Sequence, residues 1–254
     1  MGNPQRGAEW FAEGHIPGAQ FVGVDTDLSG RKTGGNGRHP LPEPGEFTAF
    51  LSRSGVTASA QVVAYDQVGG QYAARLWWMC RWIGWGNVRV LDGGWPKWVN
   101  EGLEVSKKTV EPNCVAGVVE VSVDPTQVVM GDEVVANFKS AERLVVDARS
   151  PSRFRGDEEP IDPMAGHIPG AVNRFFQDNL RPNGAFRDAQ TLRGEFEAVL
   201  DGRDSREVVH QCGSGITACA NFLAMDYAGL LGSKRYAGSW SEWVADPTRP
   251  VDVG

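Results

Sequence analysis

The sequence predicts an α/β protein built from two tandem copies of one domain, each a parallel-type sheet flanked by helices. Three observations carry this. One pattern is written twice in the same order: Gly14-His15-Ile16-Pro17-Gly18-Ala19 is answered by Gly166-His167-Ile168-Pro169-Gly170-Ala171, residues 62–66 by 208–212, and 93–98 by 238–243. Short valine-rich runs closed by turn residues alternate with longer segments of helical spacing, the signature of a sheet covered on both faces. The length of 254 residues at 41% hydrophobic content suffices for two cores.

In the first copy, residues 1–108, strands are expected at 61–65 and 87–91 with a helix over 73–83 between them. The alternation is lost from residue 104 onward, where Lys107-Lys108, Pro112, Asn113 and Pro125 mark a linker placed at 109–125. The second copy, 126–254, resumes with strands at 143–146 and 206–211 and helices at 192–200 and 216–229. Only 14 residues precede His15, whereas the strand closing at Asp147 ends 20 residues before His167 (167 − 147). The first copy is therefore expected to lack its opening strand. A shortened or misassigned start accounts for this better than a natural loss, which would uncover apolar surface and unpaired backbone groups.

Composition excludes several function classes. With 25 basic and 32 acidic residues the net charge is −7, and no basic stripe exists to track a phosphate backbone, so nucleic acid is not an expected partner. No apolar run approaches the roughly 20 residues of a bilayer span, and the start lacks the features of a signal peptide, which makes the cytoplasm the expected address. Cys80, Cys114, Cys212 and Cys219 form no CxxC pair, so neither a zinc site nor a disulfide framework is indicated.

The chemistry concentrates at Cys212, in Cys212-Gly213-Ser214-Gly215-Ile216-Thr217, which runs from a buried strand through a tight loop into a helix. Gly213 and Gly215 are read as positive-φ positions that let successive backbone N–H groups curl toward one point, where the following helix adds the positive end of its dipole. Such a loop stabilises a thiolate and any anion beside it. Thiols at helix N-termini ionise with pKa values of roughly 3.5 to 7.5 rather than about 8.5, so Cys212 is expected to be a nucleophile at neutral pH. A buried packing cysteine would need no flanking glycines.

Several segments together resemble the tandem-domain sulfurtransferases of the rhodanese and mercaptopyruvate sulfurtransferase family. Phe11-x-x-x-His15-Ile-Pro-Gly-Ala resembles the family's first signature, Tyr236-Ala-Gly-Ser-Trp240-Ser-Glu242-Trp243 its C-terminal one, and Asp147-Ala-Arg149 its strand-closing Asp-x-Arg. The resemblance implies that the Cys212 thiolate takes a sulfane sulfur from a small anionic donor as a persulfide. It then passes the sulfur to cyanide or to a thiol acceptor such as thioredoxin, with no cofactor. Backbone N–H groups of Gly213, Gly215, Ile216 and Thr217 would hold the anion.

The loop also bears on the donor. Cys-Gly-Ser-Gly-Ile-Thr is similar to the Cys-Gly-Ser-Gly-Val-Thr of mercaptopyruvate sulfurtransferases, whereas thiosulfate-preferring relatives often carry Cys-Arg-Lys-Gly-Val-Thr. The resemblance implies a relay from Ser214 through His39, in Gly37-Arg38-His39-Pro40, to an acid that is Asp25 or Asp27. The bland reading of Ser214 is a loop-stabilising hydroxyl. Arg153 matches the family arginine that holds the donor's anionic group. A second family arginine, in Glu-Pro-Arg, is replaced here, since Glu159-Pro160 is followed by Ile161; Arg155, Arg174 and Arg181 are the alternatives, each more simply read as solvated.

The remaining residues take structural readings. His15 and His167 tie down their turns, Trp77, Trp78, Trp82 and Trp85 pack a helix, and Cys219 packs below the loop rather than resolving the persulfide. Asp66 stands in the nucleophile's place in the first copy and cannot carry a persulfide, so that copy is expected to be non-catalytic and to wall the cleft between the copies. Phosphatases of the same fold use Cys-x5-Arg, but the position here is Ala218, which removes their charge clamp. A non-catalytic persulfide carrier or regulatory module is the alternative to an enzyme; it would take up one sulfur per Cys212 and stall.

Overall fold

The computed structural model describes residues 6–111 and 121–254. Cys114 and the centre of the expected linker lie outside them. Two compact units are present. One comprises 1–30, 41–124 and 183–185, the other 31–40, 125–182 and 186–254. The spatial division thus departs from the sequence boundaries at one functionally important place: the segment carrying Arg38 and His39, which the repeat assigns to the first copy, is packed as part of the second unit.

In the first unit, helices α1 (Arg6–Glu13) and α2 (Pro44–Arg53) precede strand β1 (Val62–Ala64), helix α3 (Gln71–Trp82), strand β2 (Val88–Val90) and helix α4 (Gly94–Asn100). Among the described residues its sheet has two strands, β1 and β2, paired in parallel. The expected spans differ from these by one or two residues, at frayed ends. Trp77, Trp78, Trp82 and Trp85 are all buried, α3 packing its large rings into the core. Both ring nitrogens of His15 lie within hydrogen-bond distance of carbonyls, Phe11 O at 2.8 Å and Lys108 O at 3.0 Å.

The turn after β1 shows what this loop geometry does to an anion. The Asp66 carboxylate accepts four backbone N–H bonds: from Val68 (2.8 Å) and Gly70 (2.9 Å) on Oδ1, and from Tyr72 (2.8 Å) and Ala73 (3.1 Å) on Oδ2. The first copy fills its own anion cradle with a side chain. Three of those amides, of Gly70, Tyr72 and Ala73, stand at the N-terminus of α3, where backbone N–H groups have no helical acceptor of their own. Asp66→Ala is expected to lower stability by about 2 kcal/mol, the scale of hydrogen bonds to a charged group. Urea unfolding followed by tryptophan fluorescence measures it, and an unchanged midpoint would show the cradle to be energetically idle.

The second unit contains strand β3 (Val128–Val129), helix α5 (Gly131–Ser140), strand β4 (Leu144–Asp147), helix α6 (Pro151–Arg155), strand β5 (Val172–Asn173), helix α7 (Ala189–Leu200), strand β6 (Val208–Gln211), helix α8 (Ala218–Tyr227), strand β7 (Lys234–Tyr236) and helix α9 (Ser239–Trp243). Its five parallel strands run in the order β3-β7-β6-β4-β5. Alternation along the strands divides the core between the faces. Val146 and Val208 pack with Leu192, Phe196 and Met225, while Val145 and Val209 pack with Tyr236, Trp240 and Trp243. Strand β6, with all four residues buried, is flanked on both sides and delivers the chain to Cys212. At the end of β4, Asp147 and Arg149 form a buried pair at 2.7 Å, with the Arg149 guanidinium 4.5 Å from the Trp240 ring centroid.

Candidate active site

Cys212 directly follows the central strand at 1% exposure, and its sulfur accepts the Gly215 N–H at 3.1 Å. The loop is held by α9: the carbonyls of Cys212 and Gly213 accept from the N–H groups of Trp240 and Ser241, both at 2.9 Å, and the Cys212 N–H donates to Ser239 Oγ at 3.2 Å. The C-terminal signature therefore acts as a brace for the nucleophile's backbone. Gly215 has φ +80°, and a Cβ there would stand 2.7 Å from both Ala237 O and Arg235 Nη2, so glycine is required. Gly213 is a correction to the sequence reading, because its φ is not positive. Its missing side chain makes room instead: a Cβ would stand 3.1 Å from Arg38 Nη2 and 3.4 Å from Arg153 Nη2. Ile216 is fully buried, Thr217 stands at the N-cap position of α8 without a side-chain capping bond, and the helix itself begins at Ala218, slightly later than the spacing suggested.

Ser214 is 1% exposed, and its hydroxyl lies 2.8 Å from His39 Nδ1. These two candidates, 175 residues apart in sequence, are thus brought together within the second unit. Asp25 and Asp27 belong to the other unit, where Asp27 closes its own turn by accepting from Gly23 N (2.8 Å) and Thr26 Oγ1 (2.9 Å).

Arg153, on α6, makes a fork with Glu159, Nε to Oε2 at 3.0 Å and Nη2 to Oε1 at 2.7 Å, and reaches Asp162 at 3.4 Å. Glu159 and Asp162 are almost fully buried, and Ile161 N donates to Glu159 Oε1 at 3.0 Å. Desolvation raises the Asp162 pKa, opposed first by the Arg38 charge. The three arginines named as alternatives are engaged elsewhere: Arg155 with Asp157, Arg174 with Glu195 and Arg181 with Asp188. Arg174 is moreover not a solvated group, its side chain being 12% exposed and stacked over Phe196.

Sequence reasoning missed Arg38, Glu159, Asp162 and Arg235. Arg235 is fully buried on β7, in register with His210 on β6, and its guanidinium touches the underside of Gly215. Burial lowers its pKa, opposed by the thiols of Cys219 and Cys212. Burial also pushes His210 down to about 3, so that ring is neutral beside Arg235. An arginine at the inward position of a strand was the available signal. Cys219 is fully buried, its sulfur 3.5 Å from Gly215 O. His167 Nδ1 meets Phe154 O at 2.8 Å, and its ring stacks on Phe154.

A family model described as a rhodanese-like domain matches residues 5–101 and again 130–246. The chain belongs to the rhodanese family of sulfurtransferases, in its tandem form. It is 42% identical to the probable 3-mercaptopyruvate sulfurtransferase of Pseudomonas aeruginosa, covering 99% of this chain and 89% of that protein. It is 38% identical to the human 3-mercaptopyruvate sulfurtransferase, covering 96% and 81%. The solved 3-mercaptopyruvate sulfurtransferase of Leishmania major superposes with a TM-score of 0.82 at 29% identity, covering 94% of this chain and 66% of that one. Like these rhodanese relatives, the chain is a transferase that moves sulfur; a non-catalytic carrier is not favoured.

Proposed function

We propose that this rhodanese-family chain takes sulfur from 3-mercaptopyruvate in preference to thiosulfate, through a persulfide on Cys212, and passes it to cyanide or a thiol such as that of thioredoxin. The observation that carries the donor choice is the 2.8 Å contact between Ser214 and His39 beside the nucleophile. The Cys212 thiolate attacks the donor sulfur; an S–S bond forms, the donor's C–S bond breaks, and its electron pair leaves as the enolate of pyruvate. That enolate is a strong base and needs a proton, which the donor thiol loses and the Ser214–His39 pair relays. Sulfite, the group that departs from thiosulfate, needs none. Arg153 anchors the donor's carboxylate, and the amides of Gly213, Gly215, Ile216 and Thr217 stabilise the sulfur anion. An acceptor thiolate or cyanide then attacks the outer sulfur and restores the Cys212 thiolate, so no cofactor enters.

The cytoplasm is the proposed address; among the described residues no helix is long and apolar enough to cross a membrane. The test is kcat/KM for both donors with cyanide as acceptor, on the protein and on Ser214→Ala. The expected result is a preference for 3-mercaptopyruvate and a loss of about 10²-fold in its kcat on Ser214→Ala, the scale of general acid–base catalysis, with thiosulfate turnover nearly unchanged. Equal losses for both donors would defeat the relay, and a preference for thiosulfate would defeat the donor assignment.

A further inference from the structure

Arg38 stands at the nucleophile's loop for a structural reason. Gly37 has φ +82°, and a Cβ there would lie 2.7 Å from Gly238 O; the next residue donates its backbone N–H to Ser241 Oγ at 3.0 Å. The segment is thereby pinned on the brace that holds the loop, and it carries His39 to Ser214 and Arg38 to Gly213. There, Arg38 Nη2 and Arg153 Nη2 would both press on a Gly213 Cβ, at 3.1 and 3.4 Å. Both guanidiniums pair with one carboxylate, Asp162, whose side chain is 4% exposed. Arg38 Nε and Nη2 are buried and have no hydrogen-bond partner among the described residues.

We propose that Arg38 and Arg153 form a two-guanidinium clamp over Gly213 that grips the carboxylate of the sulfur donor, with Arg38 filling the role that Ile161 leaves open. The proposal rests on the sulfurtransferase reading and names a specificity-determining residue for it. Buried guanidinium N–H groups without acceptors carry an uncompensated desolvation cost, and a planar carboxylate offers the paired oxygens that relieve it. Gly213 leaves the floor of the clamp clear, where an arginine or lysine would fill it. Asp162 is the resident counter-charge: it keeps two adjacent cations tolerable before the donor arrives.

The experiment compares alkylation of Cys212 by iodoacetate, which bears a carboxylate, with alkylation by the neutral iodoacetamide, alongside steady-state turnover of 3-mercaptopyruvate. Other charged groups facing the site, namely Arg153, Glu159, Asp162, His39 and Arg235, are the same in the parent protein and the Arg38 variants, so the change in the rate ratio on substitution isolates what Arg38 contributes to recognition of the carboxylate. Arg38→Leu is expected to lower the iodoacetate to iodoacetamide ratio by about tenfold and to raise the donor KM by a similar factor, the loss of one charge-assisted contact. Arg38→Lys keeps the charge without the fork and should fall between. A ratio in Arg38→Leu equal to that of the parent protein overturns the clamp. Should the parent fail to turn over 3-mercaptopyruvate, the donor reading falls, while the alkylation ratio still decides the clamp. A thermal melt on each variant checks folding, and if Arg38→Leu is unfolded, Arg38→Lys alone must show the lowered ratio for the clamp to stand.

Discussion

Replacing Cys212 with serine is expected to remove sulfur transfer, with kcat falling by about 10⁴-fold or more, the scale on which loss of a covalent nucleophile acts. The substitution is small and the site is built to receive it. The residue is 1% exposed, and the Gly215 N–H that donates to the sulfur can donate to a hydroxyl. The brace from Ser239, Trp240 and Ser241 grips backbone atoms only. The fold should therefore survive with an unchanged melting temperature. What is lost is chemical: a serine hydroxyl does not ionise near neutral pH and cannot hold a sulfane sulfur reversibly. Thiocyanate formation from cyanide measures the rate, and mass spectrometry of donor-treated protein shows whether a sulfur is added. Turnover that persisted in Cys212→Ser would move the nucleophile elsewhere. Among the described residues the other cysteines are poorly suited to inherit it: Cys80 is buried in the first unit, where desolvation pushes its thiol up to about 12, and Cys219 is fully buried below the loop.

Much of this was legible because local patterns suffice for it. The valine runs at 208–211 and 144–147 are buried on both faces, and the turn from strand to helix around Gly215 demands glycine whatever surrounds it. The repeated motifs marked the two units for the same reason. What could not be read depended on contacts between distant parts of the chain. Nothing local says that residues 31–40 pack with the second unit, so the place of Arg38 beside Gly213 was hidden, although His39 next to it was singled out. The sequence reading likewise treated Gly213 as a turn glycine, when its role is to leave space for two guanidiniums that arrive from other elements. Glu159 and Asp162 look like surface acids in a run with Asp157 and Glu158; their burial follows from the arginines they neutralise.

Arg153→Ala is expected to raise the KM for the donor by 10- to 100-fold (~), the range of a charge-assisted contact of about 1.5 to 3 kcal/mol, while kcat at saturation changes little. Its fork to Glu159 brings a second consequence. The Glu159 side chain is 3% exposed, and without Arg153 its remaining guanidinium partner is Arg149, at 3.4 Å. Removing one member of such a pair leaves a buried charge poorly compensated, so stability should fall by about 2 to 3 kcal/mol as well, somewhat less than for a fully buried pair because Arg153 is 13% exposed. The two effects separate experimentally. Arg153→Lys retains the charge that neutralises Glu159 and loses the fork, so it should recover much of the stability and little of the donor affinity. Chemical denaturation gives the first quantity and initial rates against donor concentration the second. If KM stays at the parent value in both variants while stability falls, Arg153 is a structural residue that merely holds Glu159 and the turn to Asp162. The donor's negative charge would then have to be met by the loop amides and Arg38 alone.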